Sequence, residues 1–334
     1  MKEDTGEQMK EIHITQNDSN QRLDKFLMKY LNQSSKGFIY KMLRKKRIKY
    51  NGKKGEGNEK LQIGDIIQLY LADETIDQFR VQKYVRKVNK TFSVIFEDEH
   101  ILLCNKPLGL LVHPDKNNDK NTLMDEVLSY LVDKGDYNPK KATGFTPAIC
   151  NRLDRNTSGI IIVGKSLNAL QTMNQMIKEN KIQKYYLTIV KGVIKTPGVL
   201  KGYHKKNIKS NEVEIIDAYE EGSKYVETHY RPIVSNSHYT LLEIQLITGR
   251  SHQIRAHLSK INHPIIGDSK YGDNKVNAYF KAKYHLKHQF LHAYKVKFTE
   301  CPEEFKYLEN HSFKAELPYI YREICDKEKL KIDF

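Results

Sequence analysis

The residue whose type and setting best suit chemistry is an aspartate between two arginines. It lies in the run Asn151-Arg-Leu-Asp-Arg-Asn-Thr-Ser-Gly159, which leads into the apolar segment Ile160-Ile-Ile-Val-Gly164. A carboxylate just ahead of a Thr-Ser-Gly turn and a buried strand is presented on a loop at a sheet edge. Loops held by a rigid scaffold are where catalytic groups concentrate. The flanking guanidinium groups of Arg152 and Arg155 favour the ionised form of Asp154. An ionised carboxylate can attack an electrophilic carbon or accept a proton. The structural alternative is a helix N-cap or one half of an ion pair. No second acid stands beside Asp154 to activate water, as hydrolysis at a sugar carbon would want. The 13 histidines include no H-E-x-x-H set, so no catalytic metal is expected. Singly placed ones such as His100, His113, His204, His263, His285, His288 and His292 read as polar packing residues. No glycine-rich phosphate loop is present, so no nucleotide cofactor is expected.

The elements that must hold this loop can be read from periodicity. From Phe92 a large domain begins with the strand pattern FSVIFEDEHILLCNKP, turning at Pro107 and Gly109. Strand-like runs recur as GIIIVGK, KYYLTIVKG and YTLLEIQLITG, with helical stretches LMDEVLSYLVD and SLNALQTMNQMIKEN between them. There is no regular alternation of strand and helix, so the fold class is α+β with a mixed or antiparallel sheet. Ahead of it, residues 11–73 read as one small module. Leu23, Phe26, Leu27 and Tyr30 fall on one helical face. Ser34-Ser35 offers an N-cap to a second helix, KGFIYKMLRKKR, and two short strands, IKYN and DIIQLYL, follow. Residues 1–10 are expected to be disordered and 74–90 to be a linker, with the large domain spanning 91–325.

Charge is concentrated in the small module. Of the chain's net +15, residues 21–60 carry +10, from 13 Lys and Arg against Asp24, Glu56 and Glu59. The ordinary fate of a charge run is a solvated helix face. Here the cations gather at one helix end with few acids interleaved, which favours contact with phosphates. No run approaches the length of a spanning helix, and the start, MKEDTGEQMKEIHIT, has no apolar core of a secretory signal. Four scattered cysteines (Cys104, Cys150, Cys301, Cys325) suit reduced thiols. The expectation is a cytoplasmic protein with no membrane partner.

Three ordered elements carry a family resemblance. Asn151–Gly159 is similar to the H-R-L-D-x-x-T-S-G signature of RluA-type RNA pseudouridine synthases. Lys184-Tyr-Tyr-Leu-Thr188 resembles that family's K-x-Y-x-A element. Thr248-Gly-Arg-Ser-His-Gln-Ile-Arg-Ala-His257 resembles T-G-R-x-H-Q-[IL]-R-x-H without a mismatch. Asn105-Lys-Pro-Leu-Gly-Leu, His263-Pro-Ile-Ile-Gly-Asp268 and Leu291-His-Ala293 support it, and the likeness runs from about residue 12 to 320. The small module resembles an S4 RNA-binding domain, with R-L-D-x-F-L, a basic helix, I-x-x-N-G and G-D. Two positions depart: Asn151 stands where the family has histidine, and Thr188 replaces alanine.

The resemblance implies a cofactor-free isomerase that turns uridine into pseudouridine in RNA. Asp154 would be the catalytic carboxylate. Arg255 would pair with it through its guanidinium fork, and Tyr186 would pack on the uracil. Arg152 would fill the stack that the flipped base leaves. Arg250, His252 and Gln253 would either contact substrate or support the site. Lys41, Arg44, Lys45, Lys46 and Arg47 would track an RNA backbone. The presence of the S4-like module favours 23S ribosomal RNA or a ribosome assembly intermediate as partner. Transfer RNA and a non-catalytic S4 protein are the alternatives, and a monomer is the default.

Overall fold

The computed structural model describes residues 9–81, 84–115, 121–207 and 212–331. The first module is a four-stranded antiparallel sheet with helices on one side. Its elements are β1 (Lys10–His13), α1 (Leu23–Tyr30), α2 (Lys36–Arg44), β2 (Ile48–Tyr50), β3 (Lys53–Lys54), β4 (Ile66–Leu69) and α3 (Asp73–Phe79), with strand order β1-β4-β2-β3. Lys10, read as tail, opens β1, and residues 1–8 of that expected tail lie outside the described residues. Helix α1 buries Leu23, Phe26, Leu27 and Tyr30, the stripe that a 3.6-residue period puts on one face. Helix α2 starts where the Ser35 hydroxyl accepts from the Phe38 N–H (3.1 Å). It ends at Arg44, earlier than KGFIYKMLRKKR suggests. Lys46 turns left-handed (φ 58°) and the Arg47 N–H bonds back to the Met42 carbonyl (2.9 Å), so Lys45–Arg47 leave the helix as an exposed turn.

The stretch expected as a linker is ordered where it is described. Its first part is α3, which buries Ile76 and sets Phe79 on Phe38 with ring centroids 4.5 Å apart. Further on, the chain lies along helix α4 (Leu123–Lys134). The Val88 N–H donates to the Ser129 hydroxyl (3.1 Å), and the Thr91 N–H and hydroxyl donate to the buried Glu126 carboxylate (2.7–3.0 Å).

The second module is built on an 11-stranded sheet. Its strands are β5 (Ser93–Glu97), β6 (Ile101–Lys106), β7 (Ala148–Ile149), β8 (Ser158–Gly164), β9 (Ile182–Lys191), β10 (Gly198–Asn207), β11 (Glu212–Ile216), β12 (Lys224–Ser235), β13 (Tyr239–Leu246), β14 (Leu291–Phe298) and β15 (Ser312–Lys314). The order is β11-β10-β12-β13-β9-β14-β8-β6-β5, with β7 on β8 and β15 on β14. Among the described residues every pairing is antiparallel except β14 with β8, which is parallel and registers only His292 with Ser158 and Ala293 with Gly159. The sheet is therefore mixed. Helix α5 (Leu167–Lys178) covers one face around Ile160, Ile162 and Met173. On the other face α4, α6 (Gln253–Lys260), α7 (Asn274–Tyr284) and α8 (Tyr319–Lys327) close the main core. Among the described residues no helix is long and apolar enough to cross a membrane.

Candidate active site

The Thr-Ser-Gly run after Asp154 is built for fit. The Thr157 N–H bonds the Asp154 carbonyl (3.0 Å), closing the turn that carries the carboxylate. Ser158 is hydrogen-bonded to His292 Nδ1 (2.8 Å), whose Nε2 faces the Ala315 carbonyl (3.2 Å). A carbonyl can only accept, so Nε2 carries the proton and the Ser158 hydroxyl donates to Nδ1. Burial lowers the His292 pKa to about 4, in keeping with a neutral ring. Gly159 sits at φ +114°, and a Cβ there would lie 2.2 Å from the Ala293 carbonyl oxygen, so only glycine lets β8 and β14 approach. Leu291-His-Ala293, with His292 134 residues downstream of Ser158, is thus the other side of the same seam. Asn151, in the family's histidine position, accepts from the Ile162 N–H (2.8 Å) and donates to the Ile160 carbonyl (3.1 Å). Its amide ties the approach to the loop onto β8.

A second tie comes from below. Lys106, at the end of β6, is fully buried and donates to the carbonyls of Pro107 (3.0 Å), Leu110 (2.8 Å) and Arg155 (3.0 Å). One ammonium thus joins the turn after β6 to the loop of Asp154. Burial lowers its pKa to about 7, opposed by the charge of Asp154 nearby.

Around the carboxylate the groups arrive from several separate elements. Asp154 is about one third exposed (35 %). Arg255, in the first turns of α6, brings Nη1 to 3.5 Å from Asp154 Oδ2. Its fork, however, is spent elsewhere: Nε and Nη2 donate to the two oxygens of Asp268, at 2.6 and 2.7 Å. This corrects the expectation that the fork grips Asp154. Asp268 is fully buried and also accepts from the N–H groups of Lys270 (2.9 Å) and Tyr271 (3.1 Å). Burial works against both charges, yet the pairing more than offsets it. The Asp268 carboxyl lies below its ordinary range and the Arg255 guanidinium above.

His252 caps α6 in the left-handed region (φ 56°) and holds Nε2 3.8 Å from Asp154, while Nδ1 bonds the Tyr271 hydroxyl (3.1 Å). Burial lowers its pKa, with Arg255 and Lys270 acting in the same direction and Asp154 against. The Tyr271 ring lies under the Arg255 guanidinium (5.2 Å). Tyr186, on β9 opposite Ile244, is buried (5 % exposed). Burial first, and the Asp154 charge second, raise its phenol pKa. Its neighbour Thr188, the other departure, donates to the Phe290 carbonyl (2.7 Å).

The remaining expected residues divide. Arg152 and Arg250 are exposed beside the site, and the charge of Arg152 reaches His113. Gln253 does not face outward. It is buried, accepts from the Thr248 hydroxyl (2.9 Å) and Arg250 N–H (3.1 Å), and donates to Glu227 O (3.0 Å) and Thr228 Oγ1 (2.9 Å). With all four positions engaged, it braces the turn before α6 and is withdrawn as a substrate contact. Lys41, Arg44, Lys45, Lys46 and Arg47 are exposed at the end of α2. Asp268, Tyr271 and Lys106 were not assigned from sequence, although H-P-I-I-G-D and N-K-P-L-G carry two of them.

Residues 100–260 match the family model described as RNA pseudouridylate synthase. The chain is 31 % identical over 318 residues to ribosomal large subunit pseudouridine synthase C of Buchnera aphidicola subsp. Baizongia pistaciae, covering 94 % of this chain and 95 % of that one. The Salmonella typhimurium protein of that name is 33 % identical over 300 residues, covering 87 % and 89 %. An uncharacterized RNA pseudouridine synthase of Mycoplasma capricolum subsp. capricolum is 32 % identical over 308 residues, covering 90 % and 96 %. In fold, the chain is like the solved human RNA pseudouridylate synthase domain containing 4, with a TM-score of 0.56 at 21 % identity over 71 % of this chain and 92 % of that one. With relatives above 30 % identity along nearly its whole length, the chain belongs to the RluA-type RNA pseudouridine synthases.

Proposed function

We propose that this protein isomerises uridine to pseudouridine in large-subunit ribosomal RNA, with Asp154 as its catalytic carboxylate. The observation that carries the assignment is convergence. A partly exposed carboxylate, a buried guanidinium 3.5 Å away and a buried phenol within reach of its charge come from three separate elements. The substrate class follows the large-subunit enzymes to which the chain is similar.

The reaction breaks the uridine N1–C1′ bond, joins C5 to C1′, releases the C5 proton and leaves N1 protonated, so nothing is oxidised or consumed. Asp154 acts at the sugar, as nucleophile at C1′ or as the base that starts elimination. Arg255, anchored by Asp268, offers Asp154 a single N–H edge, which keeps the carboxylate oriented without locking both oxygens. Tyr186 forms the apolar wall against which the freed uracil turns. Arg152, exposed beside the loop, stacks where the flipped base was. The first module is an S4-like RNA-binding domain. Lys41, Arg44, Lys45, Lys46 and Arg47 at its exposed helix end contact phosphates and set register more than sequence.

The test is tritium release from large-subunit RNA transcribed with C5-tritiated uridine. Wild type should release tritium to water, and Asp154→Asn should release none while still binding the RNA. Release by the variant at the wild-type rate would remove Asp154 from the chemistry.

A further inference from the structure

Among the described residues, Arg255 Nη1 and His252 Nε2 both come closest to the same oxygen of Asp154, Oδ2, at 3.5 and 3.8 Å. Oδ1 is nearest to neither. The two donors differ in charge. Arg255 brings a cation already paired with Asp268. The His252 ring is held neutral, because burial, Arg255 and Lys270 together outweigh Asp154 and Asp268. A neutral donor orients a carboxylate without cancelling its charge. The negative charge facing Nε2 favours the tautomer that carries its proton on that nitrogen.

The imidazole is fixed from its far side. His252 stands at φ 56°, a left-handed conformation that a residue of this size keeps only where its surroundings hold it. The Tyr271 hydroxyl is 3.1 Å from Nδ1, and the two rings meet edge to face with centroids 5.7 Å apart. Tyr271 is itself tied down. Its hydroxyl accepts from the Val213 N–H of β11 (2.8 Å), and its own N–H donates to Asp268 (3.1 Å). One tyrosine thus braces the imidazole at its hydroxyl and the Arg255 guanidinium at its ring (5.2 Å). At 3.8 Å the gap from His252 to Asp154 is longer than a hydrogen bond, and contacts of this kind tighten once substrate is bound.

We infer that His252 is a positioning residue for Asp154: with Arg255 it holds Oδ2, so that Oδ1 is the oxygen presented to the ribose of the target uridine. Tyr271 aims the imidazole from behind. His252 acts on the carboxylate and not on the RNA, which sets it apart from a substrate contact. The inference rests on the reading of Asp154 as the carboxylate of uridine isomerisation. It deepens that reading by giving the two oxygens different tasks.

The test measures kcat and KM for tritium release from C5-tritiated large-subunit transcript. His252→Phe keeps a ring but removes both nitrogens, and its kcat should fall about 30-fold with KM within about twofold of wild type. His252→Gln restores an N–H near the place of Nε2, and its kcat should return to within about threefold of wild type. Tyr271→Phe keeps the ring under Arg255 and leaves position 252 untouched, so it reads the same chain even where a change at 252 disturbs folding. Its kcat should fall about fivefold. In the His252→Gln background the same change should cost nothing further, because the hydroxyl acts through the imidazole. Wild-type kcat in His252→Phe, a glutamine variant as slow as the phenylalanine one, or a loss confined to KM overturns the positioning role. Additive losses in the double variant overturn the part given to Tyr271. A wild type that releases no tritium overturns the function itself, so the two failures are distinct.

Discussion

Asp268→Asn is the sharpest perturbation of the site, because it changes one atom and one charge beneath the proposed pair of Asp154 and Arg255. In the wild type the Asp268 carboxylate is fully buried and takes two of the Arg255 donors at 2.6 and 2.7 Å, leaving Nη1 for Asp154. Asparagine can accept with one oxygen but turns an N–H edge toward a group that only donates. Breaking a buried ion pair from one side costs about 3–5 kcal/mol. Arg255 can recover part of this by swinging toward Asp154, only 3.5 Å away, so the expected loss is about 3 kcal/mol. Asp154 is then gripped by the fork and turned from C1′, and misplacement on this scale costs about 100-fold in rate. The assay is tritium release at saturating RNA, with urea unfolding in parallel: kcat should fall about 100-fold with KM little changed. Stability carries its own signature. The folded Asp268 pKa lies below its ordinary value, so its contribution is full above about pH 4 and lost as pH falls through the folded value. That part of the acid dependence should vanish in the variant. A variant that loses stability but keeps the wild-type kcat would refute the view that Asp268 aims Arg255.

Other expectations follow from the same geometry. Gln253→Ala should cost about 2–3 kcal/mol in urea unfolding while leaving RNA affinity near wild type, since its four hydrogen bonds are internal. Lys106→Met should lower stability by about 3 kcal/mol by stripping three carbonyls of their donor. Because the folded Lys106 pKa is depressed to about 7, the unfolded chain holds that proton more tightly. Wild-type stability should therefore gain from this residue as pH rises from 7 toward 10, and the methionine variant should lack that gain in denaturation curves. Gly159→Ala should cost more than about 3 kcal/mol, or prevent folding, read by thermal melting, because its Cβ collides with backbone.

Asp154, Tyr186 and Arg255 were legible because each sits in a contiguous run with its own pattern, and the strand-like runs gave the mixed sheet. Asp268 and Lys106 were visible as letters but not as partners. The ties of Lys106 to Arg155, and of Arg255 to Asp268, join residues 49 and 13 positions apart, and no local period encodes such contacts. Helix α3 escaped because it buries only Ile76, too little for an apolar stripe. Gln253 stayed open between contact and support because a polar residue in a motif looks like either until its four partners are seen. The last turn of α2 was overextended because lysine and arginine favour helix, whereas Lys46 adopts the left-handed conformation that ends it.

The parallel pairing of β8 with β14 makes the large sheet two plates welded at a short joint. Asp154 precedes β8 on one plate; Tyr186 is carried by β9 on the other, and Arg255 by α6, which follows β13 of that same plate. The separation of Asp154 and Arg255 is therefore a property of the joint more than of either plate. A small rotation there would open or close the gap between Asp154 and Arg255 without unfolding anything. The residues that look most ornamental in the signature, Ser158 and Gly159 with His292 and Ala293, are then the ones that hold the two halves in tune.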